Sequence, residues 1–251
     1  MFNFFADNED KTADGYLISG SDYNHIKNVL RLDISDKFLV SCDGKSDLCE
    51  IENFSADTVK VKIIEENVSN TELPVKITLF QGLPKSDKME LIIQKAVELC
   101  ATKIVPVEMK NCVVKLEDKK KKSKVARWQL ISESAAKQSK RNVIPEIGDV
   151  ISFSEMLSES EKLDLLLVPY ENKEGMRATF EALNKIKREM SIGILIGPEG
   201  GFDAKEIEKA VEAGGISLSL GRRILRTETA AISAVSLVML YTEMNLGGEE
   251  N

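Results

Sequence analysis

Residues that bind metals or carry redox chemistry are scarce in this sequence. Its 251 residues include four cysteines and one histidine. The cysteines form no C-x-x-C pair, and the single imidazole of His25 cannot build a metal cluster. We therefore expect no metal site and interpret the thiols as reduced and structural. These thiols belong to Cys42, Cys49, Cys100 and Cys112.

Long apolar runs and secretion signals are also missing. No uninterrupted apolar stretch approaches the roughly 20 residues that cross a bilayer. The first residues, MFNFFADNED, lack the basic flank and apolar core of a signal peptide. We therefore expect a cytoplasmic protein with no membrane partner. A length of 251 residues and a hydrophobic content of 43% suit one large domain, or a small domain joined to a medium one.

The usual phosphate-binding patterns are absent from the glycine-rich stretch at residues 192–244, which carries most of the chemistry. Its first loop, GPEGG at 197–201, is neither G-x-x-x-x-G-K-[ST] nor G-x-G-x-x-G. A phosphate cradle is therefore disfavoured. Successive glycines still let backbone groups approach a flat ligand and read the edge of a purine. The alternative is that Gly200 and Gly201 only turn the chain.

The same stretch predicts two strands that each end in a glycine loop. The apolar run at 192–196 meets the loop at 197–201, and the run at 216–220 meets the loop at 221–226. A helix between them implies that the strands are parallel. Because the carboxyl ends of parallel strands share one edge of a sheet, we expect the two loops to meet and form the site.

Two motifs carry a family resemblance. They are GPEGGF at 197–202, and LG at 220–221 followed by ILRTETA at 224–230. In this order and spacing they resemble the RsmE family of 16S ribosomal RNA uridine-N3 methyltransferases, of the SPOUT superfamily. The resemblance implies an S-adenosylmethionine site built from a deep trefoil knot, and an obligate homodimer. It also implies an α/β fold: a SPOUT domain with a mainly parallel sheet at 74–251, after a small PUA-like β-barrel domain at 1–71.

The first part of the chain independently predicts a small β-rich domain. Apolar runs at 37–42 and 47–54 flank Asp43-Gly44, a plausible hairpin turn, and residues 58–64 alternate as a half-buried strand does. Short strands at this spacing suggest a small barrel. We expect a helix at 21–30, capped by Ser21, between them. The polar segment at 66–73, ended by a proline, predicts a linker.

The elements predicted downstream include three helices that can be recognised from their residues, and strands at 75–80, 103–107 and 163–168. Asp203 with Glu206 forms a capping box, Asp87 can cap a helix with one apolar face, and residues 123–140 form a helix. We expect Trp128 to be core rather than a base-stacking platform. The apolar run at 163–168 predicts a strand covered on both faces, whose exit at 169–171 supplies a third wall of the site.

Charge is unevenly distributed. The formal net charge is −7, yet residues 110–141 hold eleven Lys or Arg against three acids. RNA binding depends on such a local basic face rather than on the total. The alternative for the four lysines at 119–122 is a solvated loop.

The loops, the strand exit and the resemblance together assign a site. The expected cofactor contacts are Leu167, Pro169, Tyr170, Ile196, Gly197, Glu199, Gly200, Gly201, Leu220, Gly221, Ile224, Leu225, Thr229 and Ala230. The expected RNA contacts are His25, Arg31, Lys85, Lys140 and Arg141.

Arg226 and Glu228 are the expected catalytic residues. Uridine N3 must lose its imide proton, which Glu228 could accept, while Arg226 could stabilise negative charge on the uracil oxygens. The alternatives are that Glu228 only complements the helix dipole and that Arg226 forms a salt bridge at a dimer interface. Thr227 is expected to cap the last helix. Because N3 lies on the Watson–Crick edge, the target must be unpaired or extruded.

The sequence therefore predicts S-adenosylmethionine-dependent methylation of N3 of one uridine in the 16S rRNA of the small ribosomal subunit. The alternatives are a SPOUT enzyme that acts on a different RNA position, such as a ribose hydroxyl, and a non-catalytic ribosome-assembly factor. Five positions depart from the family pattern, where glycine, glycine, an acid, proline and arginine are usual. They are, in that order, Ser86, Cys100, Lys137, Arg222 and Asn3.

Overall fold

The structure, a computed structural model, describes residues 1–85, 87–170 and 175–247. Ser86 and the end of the predicted third wall, Glu171, lie outside the described residues. The chain divides into two compact units. The first unit comprises Met1–Glu72 and Ala136–Ile144, and the second comprises Leu73–Ala135 and Pro145–Asn251.

The first unit is built on a five-stranded sheet in the order β1-β3-β4-β5-β2. Strand β1 runs parallel to β3, and the other pairs are antiparallel. Its elements are β1 (Asn3–Phe5), β2 (Gly15–Ser19), α1 (Gly20–Asn24), β3 (Lys37–Cys42), β4 (Lys45–Phe54) and β5 (Thr58–Ser69). Alternate residues of these strands point inward, and Phe4, Ile26 and Phe38 are among the fully buried side chains that form its core.

The predicted hairpin is confirmed, but the predicted linker is partly strand. Asp43 and Gly44 have φ angles of 52° and 74°, which a two-residue type I′ turn requires. Strand β5 continues to Ser69 because Ser69 pairs with Ser46 across the sheet and Asp47 accepts a hydrogen bond from the Asn67 N–H at 2.8 Å. The first half of the segment at 66–73 therefore belongs to the sheet.

The predicted helix at 21–30 begins earlier and changes type midway. Gly20, with a φ of 63°, turns the chain out of β2, so that Ser19 rather than Ser21 is the N-cap and its side chain makes no capping bond. The α-helix ends at Asn24, and a π-helical turn, His25–Val29, follows. Arg31 then adopts a left-handed φ of 55°. Such π-turns are rare in proteins overall, and those that occur often lie at functional sites.

A buried ion pair holds the segment at 136–144 to the rest of the first unit. Arg141 is 1% exposed, and its Nε donates to Glu72 Oε1 at 2.7 Å. The Arg141 carbonyl accepts from the side chain of Asn3 at 3.0 Å, and Asn3 in turn accepts from Ser41 at 3.0 Å. The prediction that Arg141 meets RNA phosphates is therefore wrong for this conformation, because its guanidinium is buried on a carboxylate. Asn3, which departs from the family arginine, is likewise a buried structural residue.

The second unit is organised around a seven-stranded sheet. Six strands follow the order β12-β10-β11-β6-β7-β8, β9 pairs with β7, and every pair is parallel. The strands are β6 (Lys76–Gly82), β7 (Ala101–Glu108), β8 (Glu146–Ile147), β9 (Ile151–Ser152), β10 (Leu165–Pro169), β11 (Ser191–Ile196) and β12 (Ile216–Leu218). The helices are α2 (Lys88–Glu98), α3 (Asp118–Ser139), α4 (Phe153–Ser160), α5 (Met176–Leu183), α6 (Ala204–Glu212) and α7 (Thr227–Leu246).

The predicted parallel sheet is confirmed, and its central strands are buried on both faces. Residues 192–196 of β11 and 165–168 of β10 are buried throughout, as expected of strands covered by helices on each side. The capping box of Asp203 and Glu206 starts α6 as predicted. The apolar face of α2 is buried as well, although the side chain of Asp87 makes no capping bond.

Helix α3 begins five residues before the predicted start. The carbonyl of Glu117 accepts from the N–H groups of Lys120 and Lys121 at 2.8 and 3.0 Å, which places the lysine run at 119–122 in the first turns of the helix rather than in a loop. Trp128 is 4% exposed, so its predicted place in the core is confirmed.

Helix α7 is the one described helix that is long and apolar enough, by length and composition alone, to cross a membrane. The sequence predicts no uninterrupted apolar stretch long enough to cross a bilayer. Polar residues interrupt the sequence of this helix, which agrees with that prediction. One side of α7 packs on α2 and on strands β6 and β11. Its buried residues are Thr227, Ala231, Ala234, Val235, Val238 and Thr242. Core packing therefore accounts for part of its apolar composition.

We predict that Glu72→Gln destabilises the first unit by about 2–4 kcal/mol, because a neutral amide replaces the carboxylate that faces the buried Arg141 guanidinium. Hydrogen exchange of the β3 and β4 amides measures this unit alone. The matched control is Asp14→Asn, since Asp14 pairs with Lys60 at 3.5 Å in an exposed position. That change should cost less than about 0.5 kcal/mol. Equal protection in the two variants would contradict a stabilising role for the buried pair.

Candidate functional site

A cavity of about 480 Å³ lies at the carboxyl ends of β10, β11 and β12, within the second unit. The exit of β10, the loop after β11, the loop after β12 and the first turns of α2 and α7 all contribute to it. Its lining residues are Lys88, Pro169, Tyr170, Ile196, Gly197, Pro198, Glu199, Gly201, Phe202, Ser219, Leu220, Gly221, Arg223, Ile224, Leu225, Arg226, Thr227 and Ala230. The two glycine loops therefore meet, as the sequence predicts.

Most of the predicted cofactor contacts lie on this cavity, and three do not. Leu167 is 1% exposed inside the sheet. Gly200 lies outside the lining, where a Cβ would meet the backbone oxygen of Asn111 at 2.9 Å, and Thr229 is exposed on α7. Gly200 is thus required for close packing against Asn111. The remaining eleven predicted contacts all line the cavity.

Backbone conformation explains the glycine at position 201. Gly201 has a φ of 69°, a left-handed conformation that costs an L-residue about 1–2 kcal/mol. The side chain of Asn111 donates to the carbonyls of Gly200 and Gly201, each at 3.3 Å. These contacts fix the end of the loop, so its cavity-facing backbone is held in one shape.

Thr227 joins the loop after β11 to the start of α7. Its hydroxyl donates to the Gly197 carbonyl at 2.7 Å and accepts from Gln81 Nε2 at 2.9 Å. Gln81 is fully buried and pairs with Ile196 across the sheet. The predicted capping role of Thr227 is wrong, because Arg226 occupies the N-cap position and the Thr227 hydroxyl is engaged by the two strand ends.

Two carboxylates share one ammonium at the edge of the cavity. Lys88 Nζ lies 3.1 Å from Glu199 Oε1 and 3.3 Å from Glu228 Oε2. Glu199 Oε1 also accepts the Lys85 backbone N–H at 2.9 Å. Glu228 does not line the cavity itself, and its Oε2 is buried with no hydrogen-bond donor among the described residues. The other predicted catalytic residue, Arg226, lines the cavity with an exposed side chain.

These contacts shift the pKa values of Lys88 and Glu199 in the directions that favour their charged forms. The carboxylate of Glu199 and, secondarily, that of Glu228 raise the pKa of Lys88 above its ordinary value. Burial opposes ionisation of Glu199, but the Lys85 N–H and the Lys88 ammonium outweigh it and lower the pKa of that carboxyl. The cavity therefore presents an ionised carboxylate beside apolar and backbone surface.

Aromatic rings form one wall of the cavity. Tyr170 and Phe202 meet edge to face, with ring centroids 6.2 Å apart and planes at 76°. A Cβ on Gly197 would lie 3.2 Å from the Phe202 ring, so the absence of a side chain at 197 lets the ring approach the loop. This aromatic wall, together with the backbone groups beside it, suits a flat heterocycle that has a polar edge.

The other predicted RNA contacts are exposed, in contrast to Arg141. In the first unit, His25 packs edge-on against Phe4 with centroids 6.0 Å apart, and Arg31 and Lys140 are exposed at positive φ. In the second unit, the side chain of Lys85 is exposed. Their roles in RNA binding stay predictions.

Acidic partners neutralise much of the basic run at 110–141. Lys110 pairs with Asp203 at 2.5 Å, Lys121 with Glu108 at 3.0 Å and Arg127 with Glu90 at 2.9 Å. In the first unit, Lys137, a departure from the family acid, pairs with Asp22 at 2.7 Å. The local charge excess therefore overstates the basic surface available to a phosphate backbone.

Sequence reasoning assigned no role to several residues of this site. Lys88, Phe202, Ser219 and Arg223 line the cavity, and Gln81 and Asn111 support its loops. Signals existed for three of them: Phe202 belongs to the motif at 197–202, Arg223 to the loop at 221–226, and Lys88 to the start of a predicted helix. The partners of Gln81 and Asn111 are 146 and 89 residues away, which no local pattern reports.

Comparisons with known proteins agree with this geometry. Residues 71–239 match the model of an RNA methyltransferase domain, and residues 18–64 match that of an RNA methyltransferase PUA domain. The chain is 40% identical over 241 residues to a ribosomal RNA small subunit methyltransferase E from Bacillus subtilis, with 94% of each protein covered.

A solved structure agrees with the same assignment. The ribosomal RNA small subunit methyltransferase E from Neisseria gonorrhoeae, bound to S-adenosyl methionine, superposes with a TM-score of 0.78 at 31% identity. The match covers 94% of this chain and 96% of that one. With a cavity of glycine loops at the edge of a parallel sheet, and with family matches on both parts of the sequence, this chain belongs to the family of RNA methyltransferases with a PUA domain.

Proposed function

We propose that this protein transfers the methyl group of S-adenosylmethionine to N3 of one uridine in the 16S rRNA of the small ribosomal subunit. The observation that carries the proposal is the single cavity shared by the loops at 197–201 and 221–226, beside the carboxylate cluster of Glu199 and Glu228. The reaction takes place in the cytoplasm and needs no metal, because a sulfonium methyl group is already activated for transfer.

The residues of the cavity fit this cofactor. The Tyr170–Phe202 wall and the apolar side chains of Ile196 and Leu225 suit an adenine ring, whose polar edge can be read by backbone groups of the two loops. The ionised Glu199 suits a ligand that carries positive charge. When bound, S-adenosylmethionine supplies an electrophilic methyl group. The cofactor contacts include those that line the cavity, with Leu167, Gly200 and Thr229 as supporting residues.

Glu228 is the proposed general base. Its Oε2 forms an ion pair with the Lys88 ammonium at 3.3 Å and makes no other hydrogen bond among the described residues, so a lone pair remains to accept the uridine N3 proton, directly or through water. Arg226 at the N-cap of α7 faces the cavity and can stabilise the negative charge that develops on the uracil oxygens. Both groups belong to the start of one helix, with Arg226 at the N-cap and Glu228 in the first turn.

The RNA is bound by the first domain, residues 1–71, while residues 74–251 carry the transferase site. His25, Arg31 and Lys140 offer exposed groups, and Lys85 adds a cation near the cavity, since its N–H contacts Glu199. Because N3 is hidden in a base pair, the substrate is folded RNA with an unpaired or extruded uridine.

The enzyme acts as a homodimer with the trefoil knot of its superfamily. Leu240 and Met244 on α7 are 47% and 76% exposed, and Ile224 in the cavity loop is 91% exposed. A second copy of the chain is the occupant that we propose for this apolar surface. The knot is what the family resemblance implies for the loops that follow β10, β11 and β12.

The direct test is mass spectrometry of 16S rRNA from a strain in which this protein's gene is deleted. We predict the loss of one N3-methyluridine and its return when the gene is restored. Loss of a ribose methyl group instead would identify an enzyme for another position. An unchanged modification pattern, despite altered subunit assembly, would favour a non-catalytic factor.

The glycine loop can be tested by calorimetry with S-adenosylmethionine. Gly201→Ala should weaken binding about tenfold, because alanine at positive φ costs about 1–2 kcal/mol and shifts the loop from its binding shape. Gly214→Ala is the matched control, since Gly214 also has a positive φ with open space around its Cβ but lies away from the cavity. Equal loss of affinity in both variants would exclude a specific role for the loop.

Glu228→Gln should lower kcat by at least about a hundredfold, because the amide cannot accept the N3 proton. Binding of small ribosomal subunits, measured by filter retention, should change less than about threefold, since the base is needed only for the chemical step. The control is Glu208→Gln at an exposed position of α6. If Glu228→Gln changed only the melting temperature, the helix-dipole role would be the correct one.

A further inference from the structure

Lys88 connects two parts of the cavity that are distant in sequence. Its ammonium lies between Glu199, on the loop after β11, and Glu228, in the first turn of α7. The side chain is 32% exposed and lines the cavity itself. Among the described residues, Lys88 is the one cation whose ion pairs join the cofactor loop to the carboxylate of the proposed base.

We propose that Lys88 is a positioning residue for methyl transfer: it holds Glu199 and Glu228 in one arrangement, so that the cofactor loop and the base are oriented together. This role rests on the proposed function of Glu228. It assigns Lys88 to the chemical step, through Glu228, rather than to cofactor affinity or RNA binding.

The two carboxylates have unequal alternatives to Lys88. Glu199 keeps a second partner, the backbone N–H of Lys85 at 2.9 Å. Glu228 Oε2 is buried and has no hydrogen-bond donor among the described residues, so its orientation depends on the ammonium 3.3 Å away. Without that ammonium, two partly buried carboxylates would face each other uncompensated. The base should then turn away or take up a proton, while the loop stays held by Lys85.

The position of Lys88 is fixed by packing of the helix that carries it. Met89, Ile92 and Ile93 are buried side chains of α2, and α2 packs directly on α7. The ammonium therefore extends from a rigid element to a carboxylate on a neighbouring rigid element. A long side chain with three donors suits this bridge, since each carboxylate can take one of them.

The experiment measures methyl transfer to small ribosomal subunits that lack the modification, with labelled S-adenosylmethionine, in Lys88→Met and Lys88→Arg variants. We expect Lys88→Met to lower kcat about ten- to a hundredfold, part of what a general base contributes. The calorimetric Kd for S-adenosylmethionine should stay within about threefold, because Lys85 still holds Glu199. Lys88→Arg should recover most of kcat, since a guanidinium can also contact two carboxylates.

A double variant separates positioning from a purely structural role. If Lys88 acts through Glu228, adding Lys88→Met to Glu228→Gln should lower kcat less than about twofold further, because residues that act as a unit are non-additive. Two results would overturn the proposal. One is a double variant whose loss of kcat equals the product of the two single losses, and the other is a Lys88→Met enzyme whose kcat is within about twofold of that of the unaltered protein.

Two controls keep the outcomes distinct. Lys95→Met removes another ammonium from α2, one that pairs with Glu98 at 2.8 Å away from the cavity, and should leave kcat unchanged. Lys88→Gln provides a second neutral variant if Lys88→Met does not fold. If the unaltered protein transfers no methyl group, the proposed function is refuted, and the role of Lys88 with it. If the Lys88 variants are fully active while Glu228→Gln is inactive, only the role of Lys88 is refuted.

Discussion

The hydroxyl of Thr227 is the contact on which the geometry of this site depends. It takes a hydrogen bond from Gln81 at the end of β6 and gives one to the carbonyl of Gly197 at the end of β11. These two bonds join the Gln81 amide nitrogen, the Thr227 hydroxyl and the Gly197 carbonyl in one buried chain, and such polar networks help to specify a single arrangement. The first turn of α7, with Arg226 and Glu228, is thereby placed against the glycine loop.

Features of the fold that depend on neighbouring residues could be predicted from the sequence. The capping box of α6 needs only Asp203 and Glu206, three residues apart, and the β3–β4 turn needs only Asp43 and Gly44. The meeting of the two glycine loops could also be predicted, because parallel strands bring their carboxyl ends to one edge. Here topology, rather than any contact, supplied the prediction.

Features that depend on distant partners could not be predicted in this way. Thr227 looks like a helix cap in sequence, but strand ends 30 and 146 residues away engage its hydroxyl. Arg141 looks like an RNA contact because it ends a basic run, yet Glu72 is 69 residues earlier in the chain. A local charge pattern shows the cations of a segment but not the acidic partners that lie elsewhere in the sequence. The paired lysines of α3 show that the basic surface is overestimated as a result.

The charge balance of the cavity bears on how it can hold a cationic ligand and still run a proton transfer. Lys88 carries one positive charge against the two negative charges of Glu199 and Glu228, so this cluster is short of one cation. A ligand with a sulfonium charge would supply it. Once that charge is lost by methyl transfer, the cluster regains its deficit unless Glu228 has taken up a proton. In the proposed mechanism, proton uptake by Glu228 offsets the positive charge that the ligand loses, which would explain why the proposed base stands beside Glu199.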